Sequence, residues 1–144
     1  MWNIVEEILS SSQSRGINIV INTSEQSLEI LTQVREKYFV KSNSDILWEN
    51  ISESISKQNK DAWRWVKDFV SIFPCIMFFN PIEEKNTIIF ENGENIVSVL
   101  EDIYHFEFYL TNQNSEYLIC FNHHDVLIAC GTAMIWLEKY TVQR

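Results

Sequence analysis

Glycine and proline are scarce in this chain, three and two among 144 residues. Loops that cradle phosphate need clustered glycines, so that backbone N–H groups can approach the anion. Gly16, Gly93 and Gly131 stand singly at the edges of predicted elements, which argues against a nucleotide or dinucleotide fingerprint. Cysteine is also sparse: Cys75, Cys120 and Cys130 are an odd set, each inside an apolar run, with no C-x-x-C pair to suggest zinc or redox chemistry. They read as buried free thiols that pack as small hydrophobes. Long apolar runs are missing too. The longest, Phe69 to Phe79, is broken by Ser71 and Pro74 and falls short of the roughly 20 residues a membrane helix needs. The first residues carry Glu6 and Glu7 where a secretory leader would carry Lys or Arg. The expectation is a soluble, cytoplasmic protein with no membrane contact.

The most informative scarcity is of positive charge. Of the formal net charge of −9, little arises in the first half, where ten acidic residues from Met1 to Cys75 face eight basic ones. From Ile76 to Arg144 ten acidic residues face three basic ones. Between Asn86 and Leu137 there is no Lys or Arg, while Glu91, Glu94, Glu101, Asp102, Glu107, Glu116 and Asp125 all fall there. Nucleic-acid binding relies on cations that displace counterions, so this composition excludes a direct DNA or RNA binder. A basic protein partner fits the charge instead.

What is present is apolar and aromatic, at 46% and 13%, enough for one globular domain over 1–144 without low-complexity tracts or repeats. Trp2, Val5 and Leu9, with Ile4 and Ile8 beside them, predict a first helix, ended by the serine-rich stretch before Gly16. "INIVIN" alternates as a strand. Thr23 with Gln26 predicts a capping box, opening a helix in which Leu28, Leu31, Val34 and Tyr38 share a face. The polar stretch from Val40 to Lys60 reads as a loop and then a short helix, because Leu47, Ile51 and Ile55 recur every four residues. A helix from Asp61 places Trp63, Val66, Val70 and Phe73 together and stops at Pro74.

"CIMFF" and "TIIFE" read as strands, and Ile96, Val99, Leu100 and Ile103 mark a helix whose Glu94, Glu101 and Asp102 face water. "HFEFYLT", "EYLICF" and "VLIAC" predict a three-stranded antiparallel meander, closed by a helix carrying Ala133, Trp136, Leu137 and Tyr140. In the first of these strands Phe106, Phe108 and Leu110 fall on one side, and His105, Glu107, Tyr109 and Thr111 on the other. The fold class is therefore α+β, a mainly antiparallel sheet with a C-terminal meander, covered by several amphipathic helices.

The "NHHD" segment, Asn122 to Asp125, joins the last two strands. Asn and Asp tolerate turn dihedrals and bond nearby backbone, so a hairpin selects them without any function. His123 and His124 are weak metal candidates, because consecutive side chains in extended backbone point to opposite faces, whereas strong zinc patterns space ligands by roughly two to five residues. A Cys120 nucleophile with His124 as base lacks supporting glycines and sits in an apolar strand. Neither a catalytic residue, a metal nor a cofactor is expected.

The segment "FEFYLTNQNSEYLICFNHHDVLIACGTAMIWLEKY" resembles small bacterial proteins of the toxin-immunity type in four points: an aromatic strand, a strand ending in Asn-His-His-Asp, an apolar strand ending in Gly, and a closing helix with Trp-Leu. The resemblance covers the last quarter of the chain. It implies a small acidic protein that neutralises a cationic toxin domain. The expected partner-facing residues are Glu94, Glu101, Asp102, Glu107, Tyr109, Glu116, His123, His124 and Asp125, with Tyr104, Tyr109, Tyr117 or Trp65 as aromatic anchors. The alternatives are a small hydrolase or metal-dependent enzyme centred on the Asn-His-His-Asp turn, and a homo-oligomeric structural protein that pairs strand edges.

Overall fold

The strongest apolar runs pair with one another at the middle of a seven-stranded sheet. The strands are β1 (Ile19–Ile21), β2 (Ile55–Gln58), β3 (Cys75–Phe78), β4 (Ile88–Phe90), β5 (Phe108–Thr111), β6 (Tyr117–Phe121) and β7 (Val126–Gly131). Their spatial order is β1-β4-β3-β5-β6-β7-β2, and each neighbouring pair is antiparallel. Among the described residues five α-helices accompany them: α1 (Ile4–Arg15), α2 (Ser24–Tyr38), α3 (Val66–Val70), α4 (Gly93–Asp102) and α5 (Ala133–Lys139). The structure is a computed structural model that describes residues 3–40, 46–103 and 106–141. It is a single α+β domain in which β5, β6 and β7 form the expected meander.

Side chains alternate across a strand, so each strand feeds two cores. On one face Met77, Phe90, Leu110, Ile119 and Leu127 pack under Ile8 of α1, Val66 of α3, Ile96 of α4 and Leu137 of α5. On the other face Phe78, Tyr109, Leu118, Cys120 and Ile128 pack under Leu31 and Val34 of α2 and under Leu47. Because both faces are covered, β3, β5 and β6 are buried at every position. Fully burying one such aliphatic side chain contributes about 1.5–3 kcal/mol. Both cores therefore matter to stability.

The second core corrects one reading. Tyr109 does not face solvent: it is 1% exposed and stacks on Phe78 at 5.1 Å between ring centroids. Alternation along β5 is real, but the layer that covers its second face comes from α2 and residues 46–51, distant in sequence.

α2 begins as expected. Thr23 Oγ1 accepts from Gln26 N at 3.2 Å, and Gln26 Oε1 accepts from Thr23 N at 2.9 Å. Its inward face differs from the prediction, with Ser27 in place of Leu28, which is 63% exposed. The reason is polar. Thr87 N donates to Ser27 Oγ at 2.9 Å, the two hydroxyls lie 3.1 Å apart, and Asn22 Nδ2 donates to Thr87 Oγ1 at 2.8 Å. This buried network fixes the rotation of the first turn, because an unmet buried N–H costs about 1–3 kcal/mol.

Two further elements differ. The helix expected around Leu47, Ile51 and Ile55 is a 3-10 turn (Leu47–Asn50) followed by β2, whose Ile55 to Gln58 pair with Ala129 to Val126 of β7. β7 needs partners for its outer backbone groups, and that need outweighs a coincidental four-residue spacing. The helix from Asp61 is a 3-10 turn (Ala62–Trp65) leading into α3, which stops at Val70 where Ser71 takes φ 55. Phe73, expected inside, is 66% exposed. Trp2, Tyr104 and His105 lie outside the described residues.

Candidate functional site

β6 and β7 pair down to Phe121 and Leu127, which leaves Asn122 to Asp125 as a closed turn: Asp125 N donates to Asn122 O, and Asn122 N to Val126 O, both at 3.1 Å. Asn122 is 3% exposed, and its Oδ1 accepts from His124 N at 2.9 Å and Val126 N at 3.3 Å. Asp125 takes φ 60, a left-handed conformation that Asp tolerates. Both residues thus perform the turn roles that their chemistry suggests.

The histidines do not diverge. The turn is not extended, so their rings lie together, centroids 4.0 Å apart, with Trp48 edge-on to His123 at 6.4 Å and His124 at 5.9 Å. Glu107, at the start of β5, joins them. Its Oε1 contacts His123 Nδ1 at 2.5 Å and accepts from His123 N at 3.1 Å and Trp48 Nε1 at 3.2 Å. Both histidines are exposed, and no group of three His, Cys, Asp or Glu among the described residues is placed to hold a metal ion.

Cys120 lies fully buried one strand position from this turn. Burial, reinforced by the Glu107 charge, pushes its thiol well above the ordinary range, which disfavours the thiolate that nucleophilic attack needs. Its register partner is Tyr109, whose hydroxyl is also buried and is pushed upward by desolvation. Burial pushes Cys75 and Cys130 to about 12. All three thiols are free and buried, as their apolar context indicates.

The acidic candidates do not make one face. On α4, Asp102 is gripped by Arg15, Nε to Oδ2 at 2.7 Å and an η nitrogen to Oδ1 at 2.8 Å, and accepts from Ser11 Oγ at 2.6 Å. Those bonds hold its carboxyl well below the usual carboxylate range. Glu101 pairs with Arg64 at 3.0 Å, and that guanidinium lies over the Trp63 ring at 4.2 Å. A recess of about 470 Å³ brings Glu101, Asp102, His123 and Asp125 together with Phe106 and Trp63. Glu116 sits at the other end of β6, where Asn112 Nδ2 donates to it at 2.7 Å. Glu94 occupies the first turn of α4, favourable to a carboxylate at a helix N-terminus.

The proposed anchors fare no better: Tyr109, Tyr117 and Trp65 are 1%, 6% and 8% exposed, too buried to meet a partner. Tyr117 donates inside the core to Cys75 Sγ and Thr111 O, each at 3.2 Å. Trp65 stacks on Tyr140 at 5.0 Å.

A feature the sequence did not show is a second, larger hollow of about 880 Å³ between α2 and the end of the sheet at Asn112 to Glu116. It is assembled from segments far apart in the chain, so no local pattern marks it. The triplet Asn112-Gln113-Asn114 in its wall reads from sequence only as a hairpin loop.

No protein-family model matches the chain, and no curated protein or solved structure matches it significantly.

Proposed function

We propose that this chain is a non-enzymatic acidic binding protein whose partner is a basic protein, with neutralisation of a cationic toxin domain as its specific form. The observation that carries this reading is the layout of charge. The cation-free stretch from Asn86 to Leu137 supplies β4, α4, β5, β6 and β7. Arg15 and Arg64 compensate Asp102 and Glu101, whereas Glu91, Glu94, Glu116 and Asp125 have no ion-pair partner among the described residues. Among those residues no helix is long and apolar enough to cross a membrane. Such a field attracts a basic surface and raises association rates from the 10⁵–10⁶ M⁻¹s⁻¹ of neutral pairs toward about 10⁸ M⁻¹s⁻¹.

The test is capture from native extract on the immobilised chain at low salt, elution with high salt, and kinetics with the recovered protein. A basic protein should be recovered, with an association rate that falls steeply as the Debye length shrinks from about 30 Å at 0.01 M to about 3 Å at 1 M salt. A rate that is flat over that range, or a bound protein that is acidic, overturns the reading.

A further inference from the structure

The hollow beside α2 arises because α2 covers only part of its side of the sheet. Leu31 and Val34 sit over Phe78, Tyr109 and Leu118, toward the meander. The β1-β4-β3 side is left with a cross-strand row, Val20 paired with Ile89 and Ile89 with Ile76. Val20 is 57% exposed, and Ile76 and Ile89 line the hollow together with Ile30, Phe73 and Pro74. The floor is therefore apolar and wide enough to take side chains, since its volume of about 880 Å³ lies within the range of roughly 300–1,000 Å³ typical of ligand sites.

The walls have a different chemistry. On α2, Gln26, Glu29 and Gln33 recur at helical spacing and present one polar stripe to the hollow. Opposite stand Asn112, Gln113, Asn114 and Glu116 of the β5–β6 connection. None of the described lining residues is Lys, Arg or His. Lys37, further along α2, directs its ammonium to the carbonyls of Asn114 and Ser115 at 3.3 and 3.0 Å. A carboxylate on each wall, with no cation between, is complementary to a positive side chain. Asn112 is bonded within its own wall to Glu116, and the carbonyl oxygens of Gln26 and Gln33 accept from Thr23 N and Ser115 Oγ. The amide N–H groups of Gln26 and Gln33 and the carboxamides of Gln113 and Asn114 remain to meet the N–H and C=O groups that an extended backbone carries along its two edges.

We propose that this groove holds an extended segment of the basic partner, with an apolar side chain on the Ile76–Ile89 floor and a Lys or Arg between Glu29 and Glu116. The assignment rests on the acidic-binder reading and gives it a location. A second copy of the chain is a poorer occupant, because each carries a net charge of −9 and would bring further carboxylates to the walls.

The test is a titration of the isotope-labelled chain with a short peptide of alternating leucine and lysine, and with its leucine–glutamate counterpart, followed by amide chemical shifts. The leucine–lysine peptide should saturably shift Ile30, Ile76, Ile89 and Gln113, and the glutamate peptide should not. Glu29→Lys with Glu116→Lys should weaken binding at least about tenfold, as reversal at close charge pairs does. Glu6→Lys with Glu7→Lys, the same charge change on α1 across the sheet, should leave it nearly unchanged. Equal weakening by both pairs, shifts confined to other surfaces, or shifts of the groove amides on concentration alone would each overturn the assignment, the last because the occupant is then a second copy. If the captured basic protein still binds the Glu29→Lys/Glu116→Lys chain, the groove is wrong and the binder reading stands. If the peptide fills the groove but no basic protein is captured, the reverse holds.

Discussion

Replacing Gly131 by alanine tests how tightly the end of β7 is enclosed. Gly131 has φ +64, and an added Cβ would collide with the Glu116 carbonyl oxygen, lie 2.6 Å from Tyr38 Oη and 3.0 Å from Tyr117 Cα. The left-handed backbone alone costs an alanine about 1–2 kcal/mol. Relief of the collision must part the Tyr117–Gly131 register pair or turn away Tyr38 Oη, which donates to Ser115 O at 2.6 Å, a bond with a net contribution of about 1 kcal/mol. The sum is about 2–3 kcal/mol. Gly16 provides the internal control: its φ is +69, but an added Cβ meets nothing within 4 Å. Gly16→Ala should therefore cost about 1–2 kcal/mol, from the backbone term only. Equilibrium urea unfolding measures both, and with a slope of about 1–2 kcal/mol per M the Gly131 midpoint should fall further than the Gly16 midpoint by roughly 0.5–1 M. Equal losses at the two positions would refute the claim that enclosure at Gly131 matters.

Asn122→Ala removes the acceptor of His124 N and Val126 N and should destabilise by about 1–3 kcal/mol, while His123→Ala with His124→Ala, on exposed rings, should cost less than about 1 kcal/mol in thermal or urea unfolding. Ser27→Ala strips the acceptor from the buried Thr87 N–H and should cost about 1–3 kcal/mol, visible as faster amide exchange at Thr87. Asp102 has a folded-state pKa below its ordinary 3.8, chiefly through bonds from Arg15 and Ser11, so its stabilisation is complete above that value and is lost as pH falls through the folded pKa. The stability gap between the parent and Asp102→Asn should accordingly narrow on acidification below about pH 4, and a gap constant with pH would contradict the assignment. Thiol reagents at about pH 8 should leave Cys75, Cys120 and Cys130 unmodified in the native chain, since a thiol near 12 is thiolate only about once in ten thousand, and labelling should track unfolding in denaturant.

Elements whose signals are local were legible in the sequence. The capping box at Thr23 and Gln26 and the apolar face of α4 each express chemistry within a few residues and are found as predicted, while β5 keeps the expected alternation of sides but begins only at Phe108. Non-local elements were not. β2 is polar at three of its four positions and exists because β7 lacks an outer neighbour, and the burial of Tyr109 depends on a layer supplied from α2 and Leu47. Leu28 turned outward for a similar reason, since Thr87, sixty residues on, captured Ser27. At the Asn-His-His-Asp turn the roles of Asn122 and Asp125 could be read, but the convergence of both histidines on Trp48 and of His123 on Glu107 could not, because it depends on a turn backbone and on two distant segments.

The same distinction governs the charge. Read along the chain, residues 86–137 form an unbroken acidic stretch, but in space two cations from the first half land on α4, Arg15 on Asp102 and Arg64 on Glu101. Exposed pairs of this kind add about 0–1 kcal/mol to stability, so their larger effect is to subtract field from that surface. His123 engages Glu107 in the same way where it is protonated. The carboxylates left without such partners include Glu116 on one wall of the α2 groove, and Glu29 of the first half stands on the other. On the proposed reading, net charge would draw a basic partner toward the molecule as a whole, whereas the pairing pattern leaves the groove, rather than α4, as a place where uncompensated charge and accessible apolar surface coincide. That coincidence is what an anchored contact requires, because charge accelerates encounter and buried apolar contact prolongs it.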